Sequence, residues 1–377
     1  MIQKSENLSV HVCFVVPAAY TIFNKKASKQ AGGSEMQAYL YSTGLAQDPK
    51  LKVSCLVADY GQNQAEIIEN VLLVKSFSYS KSKIFGFVQL YKTLRTINPD
   101  VCLFRSPSIG VFIGIFIAKK LLHKKVIYMI AHDIESAFKT RSKIGFFTAF
   151  LMFFGYKMAD AIVAQTYNQK NAFESNLKIP VPTVIRNIVQ FVESPKQKER
   201  SNILWVGRCD AIKQPEIFLQ LAEKYNGLQF TMICPISRDT NLWKRISEKA
   251  GQIPNLKFMG YVNPTEILQY YSQSKLYVST AFLEGFSNSM TEALSCGCPV
   301  LTLNHNPDNI LDDFKVGKSA NGKLSQFFSL FHEMINNENT LKQMSANGPL
   351  CVKTFHNKEE SLRQIKNLIF EQLKSKS

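Results

Sequence analysis

Residues 284–300 read Glu-Gly-Phe-Ser-Asn-Ser-Met-Thr-Glu-Ala-Leu-Ser-Cys-Gly-Cys-Pro-Val. Ser289 to Ser295 reads as a helix, stopped by Gly297 and Pro299. Strand-like runs flank the stretch, Leu276–Val278 before it and Val300–Leu303 after it. Strand, loop, helix and strand in that order form the repeating unit of a parallel sheet covered by helices. Glu284 falls in the loop entering the helix and Glu292 about one turn inside it, so both carboxylates can face one ligand. Backbone N–H groups of Phe286, Ser287, Asn288 and Ser289 would lie at the helix N-terminus, a ready anion site.

Working outward, Trp205-Val206-Gly207-Arg208-Cys209-Asp210-Ala211-Ile212-Lys213 follows the strand Ile203–Val206 and precedes a helix from about Pro215 to Tyr225. Gly207 lets backbone approach a ligand. Arg208, as a fork, and Lys213, as a point charge, can both reach a diphosphate. Phe230–Cys234 and Leu256–Phe258 read as further strands, and 358–377 as a charged final helix.

The first half shows the same alternation. Strands are expected at 10–16, Val53–Ala58, Val101–Phe104, Val126–Ile130 and Ala161–Ala164, with a helix at Ser82–Ile97. The polar, Pro-containing stretch 192–200 is the expected linker. At ~100–200 residues per domain, 377 residues divide into two. We expect an N-terminal acceptor domain at 1–191, the linker at 192–200, a donor domain at 201–357, and a C-terminal helix at 358–377 packing back toward the first domain. The fold class is α/β, with two doubly wound, Rossmann-like domains facing each other across a cleft.

Composition excludes a disordered or fibrous chain: 45% of residues are hydrophobic and 20% charged. The eight cysteines lack metal-site spacing, and several lie in apolar runs, which implies reduced, buried thiols in a cytoplasmic protein. No signal peptide is expected from Met1-Ile-Gln-Lys-Ser-Glu-Asn. Residues 1–191 hold 23 Lys and Arg against 11 Asp and Glu. That excess suits an anionic partner, such as a membrane surface, a nucleic acid or an acidic substrate. No nucleic-acid motif accompanies it. The most apolar run, 144–156, is flanked by Lys139, Arg141, Lys143 and Lys157. It is too short to span a bilayer, which takes about 20 residues. It reads as a buried helix or, alternatively, as an interfacial one peripheral to an anionic membrane.

The segments around Gly207–Lys213 and Glu284–Val300 resemble those of glycosyltransferase family 4, retaining enzymes of the GT-B fold. The similarity spans nearly the whole chain and is more specific in the second half. By that resemblance Glu284 contacts a donor sugar, Glu292 holds ribose hydroxyls, and Arg208 and Lys213 bind the diphosphate, with Gly285, Phe286, Ser287 and Asn288 lining the same site. Gly260 and Tyr261 match the segment near the base. Gly32-Gly33-Ser34-Glu35 matches the glycine loop that approaches donor phosphates and sugar. His132, after a strand, would point into the cleft as a catalytic residue, and Arg105 would contact acceptor or phosphate. The chain departs from the common pattern at Ser287, where many members carry glycine or proline.

The resemblance implies transfer of a hexose-type sugar from a nucleotide-diphosphate sugar, uridine diphosphate being commonest, to a glycan or lipid-linked saccharide. It implies no metal and no cofactor, and the sequence contains no Asp-x-Asp. The rival readings are a sugar-nucleotide epimerase, a phosphorylase, and a non-catalytic relative that only binds sugar nucleotide.

Overall fold

The alternating apolar runs become two β-sheets, one in each of two units. Unit 1 is Met1–Ile188 with Lys358–Ser377, and unit 2 is Val189–Asn357. The computed structural model describes residues 9–24, 32–78, 82–136, 145–189, 200–237 and 239–374. The expected linker lies outside them except for Arg200, as do Met1 to Asn7 and Lys139, Arg141, Lys143 and Ile144.

The sheet of unit 1 contains β1 (Val10–Val15), β2 (Leu51–Ala58), β3 (Ala65–Ile68), β4 (Val71–Phe77), β5 (Val101–Arg105), β6 (Lys125–Met129), β7 (Ala161–Ala164) and β8 (Thr183–Val184). Their order is β3-β4-β2-β1-β5-β6-β7-β8. β1 pairs in parallel with both β2 and β5, and its residues past Val10 are all buried. A strand covered on both faces needs such a continuous apolar run. β3 alone is antiparallel, folded onto β4 through Glu69 and Asn70. Both turn residues have positive φ, 49° and 63°, as a two-residue primed turn requires.

Helices cover both faces of this sheet. On one, α1 (Gly33–Leu45) and the C-terminal helix (Lys358–Lys374) bury Tyr41, Leu45, Ile365, Leu368 and Ile369. On the other, α2 (Lys83–Ile97), α3 (Ile109–Phe116, continued by a π-turn through Leu121) and α4 (Phe146–Met158) bury Leu90, Leu94, Ile115, Met152 and Tyr156. α5 (Tyr167–Leu177) follows β7 and adds Phe173 to the same core. The run that reads as a buried or an interfacial helix is half buried. Met152, Gly155 and Tyr156 of α4 face the core, while Phe147, Phe150 and Phe154 are exposed. No helix among the described residues is long and apolar enough to cross a membrane.

In unit 2, β9 (Asn202–Val206), β10 (Gln229–Ile233), β11 (Leu256–Met259), β12 (Ser274–Ser279), β13 (Val300–Thr302) and β14 (Gly317–Ser319) are all parallel. Their order is β11-β10-β9-β12-β13-β14. Successive strands add leftward from β9 to β11 and rightward from β12 to β14. The chain thus reverses its winding between β9 and β12, and ligands of such sheets bind beyond the strand ends at that point. The covering helices are α6 (Pro215–Lys224), α7 (Thr240–Ala250), α8 (Pro264–Gln273), α9 (Asn288–Ser295), α10 (Leu324–Asn336) and α11 (Glu338–Phe355).

Candidate functional site

The loops leaving β9 and β12 are tied together at the switch point. The buried Trp205 indole N–H donates to Thr280 Oγ (2.9 Å), and the Thr280 hydroxyl donates to the Lys213 carbonyl (2.6 Å). The Phe282 N–H adds a bond to the Ile212 carbonyl (2.8 Å). Asp210 caps the intervening turn by accepting from the Ile212 N–H (3.0 Å). Gly207 lies over the Trp205 ring, where an added Cβ would meet the indole at 3.0 Å. Glycine keeps that strand end flat against the tryptophan.

This latch delivers the Lys213 ammonium to the Glu284 carboxylate, and the two form an ion pair. Both remain partly accessible, with side chains 22% and 13% exposed. Arg208 is exposed on the same loop. Gly285, Phe286 and Ser287 are buried, and the Phe286 ring packs edge-on against His356 at 4.2 Å. That contact anchors the turn into α9. Ser287 occupies the N-cap without a side-chain capping bond, so the first-turn N–H groups have no cap from their own N-cap side chain.

At its far end, α9 stops in glycine. Gly297 has φ 66°, and the Cys298 N–H returns to the Ala293 carbonyl (2.8 Å). The Arg200 guanidinium donates to the Cys296 and Gly297 carbonyls, both at 2.7 Å. A cation at a helix C-terminus offsets the negative end of the dipole.

Glu292 lies in α9, one turn in. Desolvation raises its pKa to about 7, against a favourable interaction with Tyr271 that lowers it. Tyr271 and Tyr277 pack edge-on at 5.8 Å. Burial raises the Tyr277 phenol far above its usual range, and Glu284 and Glu292 both push it further. That hydroxyl thus feels both charges. Tyr271 is raised chiefly by burial and then by Glu292. Its hydroxyl is buried without a hydrogen bond of ordinary geometry among the described residues.

Gly260 and Tyr261 follow β11 at the sheet edge, with Tyr261 exposed. The described hydrogen bonds do not link them to Lys213 or Glu284. Asn288 starts α9.

In unit 1, Gly32 is the N-cap of α1, and its N–H already donates to Glu35 Oε2 (3.0 Å). Gly33 is the first helical residue. His132 caps a short turn after β6 through Nδ1, which accepts from the Ile134 N–H (3.4 Å). Glu135, which the sequence did not single out, is buried behind it. Its carboxylate accepts from the Ala131 (2.7 Å) and His132 (2.9 Å) N–H groups and from the Tyr128 (2.5 Å) and Tyr156 (3.2 Å) hydroxyls. Burial raises its pKa and these donors oppose the rise. Arg105 is only 7% exposed and donates to Asn187 Oδ1 (3.0 Å).

Among the described residues, no three His, Cys, Asp or Glu side chains gather as they would around a metal ion. All eight cysteines are buried and free.

Residues 188–350 match the family model for glycosyl transferases group 1. Two sequence relatives are each 24% identical, an uncharacterized 41.2 kDa protein in the cps region of Klebsiella pneumoniae and an uncharacterized glycosyltransferase of Methanocaldococcus jannaschii. These matches cover 58% and 57% of this chain, and 64% and 58% of the relatives' own lengths. Among solved structures, sucrose-phosphate synthase of Thermosynechococcus elongatus aligns over 97% of this chain and 99% of its own, with a TM-score of 0.77 at 13% identity. The fold is α/β with two Rossmann-like domains, as in GT-B glycosyltransferases. The family match supports a glycosyltransferase.

Proposed function

We propose that this chain is a retaining glycosyltransferase that moves a hexose-type sugar from a uridine-diphosphate sugar to a glycan or lipid-linked saccharide. Its place would be on the cytoplasmic side, in cell-surface polysaccharide or glycolipid synthesis. The observation that carries this reading is the Lys213–Glu284 pair held at the switch point of unit 2, beside the N-terminus of α9 and with Glu292 one turn away.

The chemistry follows from those groups. A diphosphate seated there draws on the Lys213 ammonium, the exposed Arg208 guanidinium and the α9 N–H groups. All three offset charge that builds on the leaving diphosphate as the glycosidic bond breaks. Glu284, partly released from Lys213, accepts hydrogen bonds from sugar hydroxyls. Glu292 accepts from the ribose hydroxyls. Attack comes from the face the leaving group departs, so retention needs no covalent enzyme intermediate. His132 would assist at the reacting sugar, and Gly32 and Gly33 would approach the donor. No metal takes part in this reading.

The test is thermal unfolding against uridine-, guanosine- and adenosine-diphosphate sugars, with and without chelator. A ligand that binds only the folded state stabilises by about 2.7 kcal/mol at a hundredfold excess over Kd. A shift with uridine-diphosphate sugars that survives chelator is expected. Glu284→Ala should keep nucleotide binding yet lose roughly 100-fold or more in transfer. A fully active Glu284→Ala variant, or activity restored to chelated enzyme only by manganese, would overturn the assignment. Donor turnover without any acceptor would indicate an epimerase instead.

A further inference from the structure

The helix α4 is apolar on two sides. Its inner side, Met152, Gly155 and Tyr156, fills the core. Its outer side repeats phenylalanine at helical spacing, with Phe147 62%, Phe150 51% and Phe154 45% exposed. A helix that merely covers a sheet carries polar residues on its outer side. Large exposed apolar patches on a protein surface mark interaction sites.

The neighbouring helices extend the patch. α3 packs against α4, and α2 packs against α3, over one shared core. α3 and its π-turn expose Phe116 and Leu121, and α2 exposes Ile84 and Val88. The charge on these elements has one sign. α2, α3 with its π-turn, and α4 contain Lys83, Lys92, Arg95, Lys119, Lys120 and Lys157, and no Asp or Glu. Asp160, just past α4, takes up Lys119 and Lys125. Lys92, Arg95, Lys120 and Lys157 stay exposed, and the Lys157 ammonium lies 4.5 Å from the centre of the Phe153 ring.

We propose that this three-helix face of unit 1 docks on an anionic lipid bilayer. The phenylalanines enter the headgroup boundary and the lysines and arginine meet the lipid phosphates. Apolar insertion and basic attraction together are the two signals that stable peripheral binding needs. A bilayer of anionic lipid is negative at its surface and apolar beneath it, which matches a face that combines exposed phenylalanines with charge of one sign. The inference is independent of the donor-site reading, because it rests on residues of unit 1 alone.

Co-sedimentation of the full chain with equimolar phosphatidylglycerol–phosphatidylcholine vesicles, and with pure phosphatidylcholine vesicles, tests it. Binding to the anionic vesicles is expected, weakening as salt is added. The triple variant Phe147→Gln, Phe150→Gln, Phe154→Gln should bind them at least about tenfold more weakly. Because those side chains are exposed, the variant should keep the wild-type unfolding temperature. Lys92→Glu with Lys120→Glu and Lys157→Glu should lose the preference for anionic over neutral vesicles. Equal binding by wild type and the phenylalanine variant would overturn the proposal. So would a wild type that ignores both vesicles, including one that self-associates through the phenylalanines or is retained on DNA instead.

Discussion

Glu292 lies one turn into α9. Its folded-state pKa of about 7 stands above the ordinary 4.5 because burial disfavours the carboxylate. Between those two values the folded chain keeps a proton that the unfolded chain gives up. Stability contributed by that proton is therefore complete below about pH 4.5 and is lost as pH rises toward 7. Glu292→Gln removes the titration. Its melting temperature should exceed that of wild type near pH 8, and the difference should close toward pH 4. If Glu292 accepts the ribose hydroxyls, nucleotide affinity of the wild type should rise through the same window, and the variant should bind poorly at every pH. Thermal scans and titrations of both proteins across the range check this. Identical pH profiles would show that Glu292 is not the titrating group. The sequence singled out Glu284, Glu292, Arg208 and Lys213 from their places about strand–helix turns, and the structure pairs two of them, Lys213 with Glu284. The sequence did not reveal the Trp205–Thr280–Lys213 latch. Those residues are brought together only when β12 pairs with β9, more than seventy positions later in the chain.

Elements were legible where their physics is local. Buried parallel strands appear as unbroken apolar runs, so β1, β5 and β7 fall within a residue of expectation. The β3–β4 hairpin stayed hidden because its turn is Glu69-Asn70 rather than a glycine pair, and because β3 is half exposed. The run at 144–156 left two readings open, buried or interfacial, for another reason. Its phenylalanines are hydrophobic whether they face a core or a boundary, and composition does not separate the two. The stop of α9 was read correctly from Gly297 and Pro299, and the structure adds why glycine is needed. At φ 66° a side chain is strained, and a Cβ there would lie 2.9 Å from the Ser345 carbonyl oxygen. Gly297→Ala should therefore cost about 1–3 kcal/mol. Denaturant titration measures it. Because the strain sits at the C-terminal end of the helix that bears Glu292, nucleotide affinity should fall as well. A neutral substitution would mean that α11 yields easily at Ser345.

At the scale of the whole chain, the course of the backbone couples its end to its beginning. The C-terminal helix belongs to unit 1 although unit 2 lies between them in sequence. It buries Ile365, Leu368 and Ile369 in the core around α1, and Lys366 pairs with Asp48 at 2.7 Å. Three buried aliphatic side chains contribute about 1.5–3 kcal/mol each, an upper bound because the unfolded chain is not fully extended. A domain's net stability is itself only about 5–15 kcal/mol. Truncation after Asn357 should thus leave unit 1 largely unfolded while every residue of unit 2 is retained. Hydrogen exchange should then show unit 1 amides exposed and β9–β14 still protected. A nucleotide sugar should still raise the melting temperature of what remains, since Lys213, Glu284 and Glu292 are untouched. Loss of that response together with protection in β9–β14 would mean that unit 1 groups such as Gly32 and Gly33, rather than Lys213, Glu284 and Glu292, carry most of the donor binding. Full protection of unit 1 in the truncated chain would mean that the helix adds little to its core.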